Sequence, residues 1–218
     1  MTLKLETSNW KLRSRGLTRL EVLAIIAGVA ALIIVVVLPA LFRAAAKASR
    51  ACCQCNLKQV GLAYRTWEGD YHDLYPPSFY TNIDGSTRYT NACQTYLAMF
   101  EELNNPRILV CPTDSRKPTA IWSDISNTNT SYFVGLDADE TSPAMLLSGD
   151  WNLATNGIEV RPGIIALRSG DNVGWSKRMH HFAGNFGLAD GSVQQSSSAS
   201  FSNYLQKYGV ATNRLTIP

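Results

Sequence analysis

The chain is poor in the residues from which catalytic and metal centres are usually built. Its 218 residues include three histidines, His72, His180 and His181. Serines are many, but none sits in a Gly-x-Ser-x-Gly turn. A nucleophile with a base and an oxyanion donor has no visible frame, so no enzyme is expected. The cluster Cys52-Cys53-Gln54-Cys55 has no second Cys-x-x-Cys and no nearby His, which argues against zinc. A basic excess is missing as well. The net charge of +3 arises before Leu17, where Lys4, Lys11, Arg13 and Arg15 outweigh Glu6. From Leu17 onward sixteen basic side chains face sixteen acidic ones, so nucleic acid is not an electrostatically favoured partner. Internal repeats and low-complexity linkers are absent. So is any charge between Val22 and Phe42.

That last absence is also the strongest positive signal. Residues 22–42 make a helix of roughly 31 Å, the thickness of a bilayer's hydrocarbon core. An ordinary secretory signal has a shorter apolar core and a small-x-small cleavage site, and Pro39-Ala40-Leu41-Phe42 is a poor one. A plain signal anchor fits the length but has no use for Glu21 at its edge. A carboxylate inside a membrane segment costs at least ~2.5 kcal/mol unless paired. One reading leaves Glu21 in the headgroup region beside Arg19. Another places cleavage after Gly16, which creates a new amine on Leu17 and keeps the helix in the mature protein.

The frame Gly16, Leu17, Glu21 behind a basic leader resembles the processing signal of type IV pilins and type II secretion pseudopilins. There Glu is the fifth mature residue. Leu17 stands where Phe is commoner, and Arg19 adds a charge where an apolar or small polar residue is usual. The resemblance implies cleavage after Gly16 by a prepilin peptidase and methylation of the Leu17 amine. It also implies pairing of Glu21 with the N-terminus of a neighbouring subunit. It places a single-pass protein in a bacterial inner membrane, with its head in the periplasm, assembled into a periplasmic or surface filament. Charge alone does not set the orientation, because Arg43, Lys47 and Arg50 flank the far end of the apolar run.

Helical character continues past Phe42. AAAKASRA is rich in helix formers. Cys53, Leu57, Val60, Tyr64, Trp67 and Tyr71 then recur at steps of three and four, one apolar stripe that needs a domain to cover it. A helix from about Val22 to Glu68 is roughly 70 Å long. Gly28 and Pro39 are expected to loosen the helix between them. The expected organisation is a leader at 1–16, a transmembrane helix at 17–42, an amphipathic half at 43–70 and a globular head at 71–218. DYHDLYPP, residues 70–77, breaks the helix. Residues 92–103 read as a short amphipathic helix. Strands are expected at 107–111, 131–135, 144–148, 163–167 and 185–189. An Asp190-Gly191 hairpin turn then leads into SVQQS, and a small helix lies at 198–208. The fold class is therefore α+β: a long N-terminal helix packed on a small antiparallel sheet, as in pilins.

Two more stretches narrow the resemblance. CNLKQVGLAYRTWEGDYHDLYP is similar to the segment after the membrane helix in a large bacterial pseudopilin-like family, with Cys53 at the family cysteine and Cys55 where Asn is usual. MHHFAGNFGLADGSV is similar to that family's C-terminal signature, a His, nine residues, then Asp-Gly: His180, Asp190 and Gly191. ILVCPTD is similar to its Cys-Pro segment. Read from the residues, His180, His181 and Asp190 suggest a metal or acid–base pair, but they lack a third partner at a recognisable spacing, so a structural hydrogen bond between His180 and Asp190 that pins the hairpin is expected instead. Asp137, Asp139 and Glu140 lie within four residues of one another and are candidates for calcium, the only cofactor in view, or for turn and cap chemistry. Cys93 and Cys111 can bridge the head, or Cys53, on the stripe facing the head, can reach the strand cysteine Cys111 instead. An odd cysteine count leaves at least one thiol over.

The function implied is a structural subunit of a short pseudopilus in a type II secretion-like system. Its partners are the membrane, copies of itself and other pseudopilins, a prepilin peptidase and an inner-membrane assembly platform. Two alternatives stand: a minor or tip pilin with a binding head, and a membrane-anchored ectodomain that never assembles.

Overall fold

The computed structural model describes residues 16–79, 91–208 and 212–218. The chain divides into two compact units between Ala45 and Ala46.

In the first unit, Thr18 caps helix α1 (Arg19–Leu32), and a π-helical stretch, Ile33–Val37, joins it to α2 (Leu38–Asp70). No residue of α1 or of the π stretch is buried. The π stretch has a local cause. Pro39 has no N–H to return to Val35, and the Leu38 N–H reaches back five residues to the Ile33 carbonyl. The expected loosening between Gly28 and Pro39 thus takes the form of a wider turn at the proline end. By length and composition, the helix from Arg19 to Asp70 can cross a membrane.

In the second unit, α2 buries Cys53, Leu57, Val60, Tyr64 and Trp67, the stripe read from the sequence. Tyr71 lies just past the helix and stacks on Trp67, ring centroids 3.7 Å apart. His72 and Asp73 take φ values of 60° and 57°, and the Asp73 N–H closes the last turn on the Glu68 carbonyl. A single turn, α3 (Pro76–Phe79), follows. The 92–103 helix is two pieces, α4 (Ala92–Ala98) and α5 (Phe100–Leu103), broken at Met99. The strand expected at 107–111 is instead a 3-10 turn, Pro106–Leu109. Pro106 pre-sets the first helical φ and the Asn105 side chain accepts from the Arg107 N–H, a start signal that outweighs the apolar run.

Among the described residues nine strands follow: β1 (Tyr132–Gly135), β2 (Leu146–Asp150), β3 (Leu153–Thr155), β4 (Ile158–Glu159), β5 (Gly163–Arg168), β6 (Val173–Trp175), β7 (Ala183–Leu188), β8 (Val193–Ser197) and β9 (Thr212–Ile217). Helix α6 (Ser198–Tyr208) lies between the last two. Six strands form an antiparallel sheet in the order β5-β9-β1-β2-β7-β8, and three form a second in the order β4-β3-β6. Both faces of the central strands β1 and β2 are covered. Tyr132, Val134 and Leu147 join the α2 stripe, Tyr96 and Met99 in one core. Phe133, Leu146, Phe186 and Leu215 join Trp175, Phe201 and Leu205 in another. Alternation along β1 divides its side chains between these cores. Gly135 ends β1 where a Cβ would overlap the Leu146 carbonyl, so a side chain there forces the two strands apart.

Candidate functional site

Two places gather the residues singled out by the sequence. The first is the start of α1. Gly16 and Leu17 precede the helix as irregular backbone, and the leader expected at 1–16 lies, but for Gly16, outside the described residues. Thr18 and Glu21 form a reciprocal capping box: the Glu21 N–H donates to Thr18 Oγ1 at 3.3 Å, and the Thr18 N–H donates to Glu21 Oε2 at 2.7 Å. Thr-x-x-Glu before an apolar run is a sequence signature of a helix start, so this role was legible but was not read. A carboxylate has lone pairs to spare after one such bond, so the cap leaves Glu21 able to accept a second donor.

The second place is where the His180–Val193 segment lies on α2. Arg50 donates to the His180 carbonyl at 3.1 Å, and Gln54 to the Val193 carbonyl at 3.3 Å. Tyr75 O–H donates to the Ala189 carbonyl at 2.7 Å. Gly61 of α2 faces the Gly191 backbone, at a distance where a Cβ would stand 3.6 Å from its carbonyl oxygen. Gly191 is at φ +80°, and the Asp190 side chain accepts from the Ser192 N–H at 2.8 Å, so Asp-Gly is a self-contained turn. The NLKQVG and ADGSV stretches therefore meet in space.

His180 does not reach Asp190. Its buried ring turns instead to the disulfide and to Asp150. Nε2 lies 3.4 Å from Cys111 Sγ and 3.4 Å from Asp150 Oδ2, and Nδ1 lies 3.3 Å from Thr113 Oγ1. Asp150 Oδ2 also accepts from the backbone and side-chain N–H groups of Asn185, at 2.7 and 2.9 Å. The expected His180–Asp190 bond fails because nine residues of strand and turn carry Asp190 away while β2 brings Asp150 close. Burial sets the charge state of the pair. It pushes the Asp150 carboxyl up to about 7, partly offset by the Asn185 bonds. It pulls the His180 imidazole down to about 4, helped by the positive charge of Arg50. Between those values the carboxyl keeps its proton and the ring is neutral. Arg50, Asp150 and Asn185 carried no sequence signal, since their partners lie 130 and 35 residues away.

Of the two disulfides left open by the sequence, Cys53–Cys111 is the one formed. Cys52 and Cys55 are exposed and unbridged. Cys93 is half-buried beside Asn91, which raises its thiol pKa through burial. Among the described residues, Cys53, Cys111 and His180 form the only group of three potential metal ligands in reach of one another, and the two sulfurs are bonded to each other. The calcium candidates are not brought together. Asp137 pairs with Arg214 at 2.5 Å, Asp139 accepts from the Thr141 N–H at 2.7 Å, and Glu140 pairs with Arg65 at 3.1 Å. Each acid answers a different neighbour: Asp139 makes a local turn contact, and Asp137 and Glu140 are in ion pairs with distant arginines.

The chain matches no family model, no curated protein and no solved structure.

Glu68 gives this part of α2 a pH dependence. Its side chain is 6% exposed, and Arg65 holds it at 3.2 Å while also reaching Glu140. Burial first, then the neighbouring Glu140, pushes its carboxyl up to about 7, partly offset by Arg65. The native state then holds a proton that the unfolded chain has lost, from the ordinary glutamate range up to about pH 7. Stability from this group is complete at acid pH and is lost as pH rises through 7. Asp150 and His180 add little slope near pH 5, because each conformational state of that pair holds one proton there. The urea midpoint of the head is expected to fall from about pH 5 to about pH 8, and Glu68→Gln is expected to flatten that fall.

Proposed function

We propose that this chain is a prepilin-like structural subunit. Cleavage after Gly16 and methylation of Leu17 mature it, and its N-terminal helix assembles it with other copies into a short filament of a secretion-like machine. One observation carries the reading. Helix α1 has no buried residue and is uncharged from Val22 on, and its single acid, Glu21, stands in the first turn, five residues after the glycine of a basic leader. An apolar helix with none of its residues buried calls for lipid or for like helices. The Cys53–Cys111 bridge fits a head on the oxidising side of the membrane, here the periplasm of an inner-membrane protein. The contacts of Arg50, Gln54, Gly61 and the disulfide with the head suit a subunit that transmits load from helix to head. A prepilin peptidase and an inner-membrane assembly platform are the partners this maturation requires.

The test is the intact mass and N-terminal peptide of the protein isolated from its native membranes. A start at Leu17, with or without one added methyl, is expected. A start at Met1 in cells with an active prepilin peptidase overturns the reading and leaves a membrane-anchored ectodomain that does not assemble.

A further inference from the structure

A cleft of about 590 Å³ opens in the head between the three-stranded sheet and α6, a size usual for small-molecule sites. Trp175, Phe182, Glu159, Lys177, Asn172 and Asn203 are among its walls. We propose that it binds a neutral oligosaccharide.

The first argument is the loop that forms one wall. Met179, His181 and Phe182 stand at φ +59°, +52° and +59°, three non-glycine residues in the left-handed region within four positions. Such backbone is costly and persists only where its surroundings over-determine it. Here they do. The Asn152 side chain donates to the carbonyls of Ser176, Arg178 and Ala183 at 3.3, 2.9 and 3.3 Å, which closes the neck of the loop. The buried His180 ring anchors the middle. Ser198 fixes the end by donating to the Phe182 carbonyl from Oγ at 3.2 Å and from its N–H at 3.3 Å. The product of all this anchoring is an aromatic side chain held outward: Phe182 is 58% exposed. Packing does not require it, since a core would have covered it. A rigidly aimed, exposed ring beside a cavity is a preorganised contact surface.

The second argument is the chemistry of the walls. Glu159 and Lys177 are the charged lining groups, one of each sign, so Lys177 is the single cation of the wall. Arg178 is already paired with Glu159 at 3.0 Å and lies over the Trp151 ring. The remaining polar side chains, Asn172, Ser176, Ser198, Ser202 and Asn203, are amides and hydroxyls. Each both donates and accepts, which matches a ligand made of hydroxyls. A pyranose offers those hydroxyls at its rim and a C–H face for the Phe182 ring. A peptide or lipid would ask for a deeper apolar slot, and a phosphate for a cation excess.

The test uses the full-length protein in a detergent free of sugar, so that the detergent does not occupy the site. Chitotetraose, cellotetraose, maltotetraose and a mannotetraose are screened on an array with a heparin tetrasaccharide as the charged comparator. The best neutral probe is then titrated by calorimetry. A neutral tetrasaccharide is expected to bind, and Phe182→Ala to weaken it about tenfold, the scale of one lost ring contact. Asn203→Ala is expected to weaken it as well. Phe182 and Asn203 both lie at the surface, so the thermal midpoints should match wild type. Should Phe182→Ala unfold the loop, the Asn203→Ala result decides alone. Three results overturn the proposal: no neutral probe binds; the heparin probe alone binds; or a neutral probe binds the folded variants as tightly as wild type. N-terminal processing plays no part in these readouts, so the site and the filament reading stand or fall separately.

Discussion

Cys111→Ser is expected to destabilise the head by about 4 kcal/mol, the loop-closure value for a crosslink between residues 58 apart. A small domain has only about 5–15 kcal/mol in all, so the variant should be close to unfolding at growth temperature. The bridge has unusual reach. It ties the middle of α2 to the segment after the Pro106–Leu109 turn, and both cysteines are fully buried in the core that also holds Tyr64, Tyr96 and Tyr132. In that variant a serine hydroxyl stands against the His180 ring, and Cys53 is left as a lone buried thiol. Arg50 of α2 donates to the backbone carbonyl of the same histidine, so the loss extends past the sulfurs. Cys93→Ser is the control: its half-buried thiol makes only a local contact, and its midpoint should stay within about 0.5 kcal/mol of wild type. Urea unfolding followed by tryptophan fluorescence gives both values. Reductant should bring wild type down to the Cys111→Ser midpoint. A wild-type midpoint indifferent to reductant would mean that the bridge contributes nothing to the fold.

What the sequence revealed follows how each element is buried. The α2 stripe was legible because one helix face meets one core, which writes a three-four rhythm. Strand β1 was legible for a different reason: both faces are covered, so Tyr132–Gly135 reads as an unbroken apolar run, whereas β2 shows only Leu146 and Leu147 before Ser148, Gly149 and Asp150. Strand β9 was missed because its buried positions include Asn213 and Thr216, and a polar residue in a central strand hides the pattern. Asn213 is there to accept from the Leu146 N–H, a contact 67 residues distant. Strand β4 is exposed on both faces and has no rhythm to read. The site shows the same division. Local chemistry, the Asp190-Gly191 turn, was read correctly. His180 was misassigned because its true neighbours, Asp150 and the disulfide, come from other strands and loops.

Glu21→Leu is expected to abolish assembly, with at least a tenfold loss of crosslinkable multimers from native membranes, while monomer still accumulates in the membrane. By itself that result is ambiguous, because Glu21 also closes the capping box with Thr18. Loss of a cap costs about 1 kcal/mol and frays the first helical turn, which by itself disturbs packing. Glu21→Gln separates the two roles. A glutamine at this position still accepts from the Thr18 N–H, so the cap survives and only the negative charge goes. If the carboxylate neutralises the amine of a neighbouring Leu17, both variants should fail to assemble, since an amide cannot balance a buried cation in low dielectric. If the cap is all that matters, Glu21→Gln should assemble like wild type and Glu21→Leu should show a partial defect. Thr18→Ala completes the comparison: it removes the hydroxyl that accepts from the Glu21 N–H but leaves the charge. Under the pairing mechanism it should assemble nearly normally. The ordering Thr18→Ala near wild type, with Glu21→Gln and Glu21→Leu equally defective, is the outcome the filament reading requires, because only a charge partner supplied by another subunit makes an amide as harmful as a hydrocarbon.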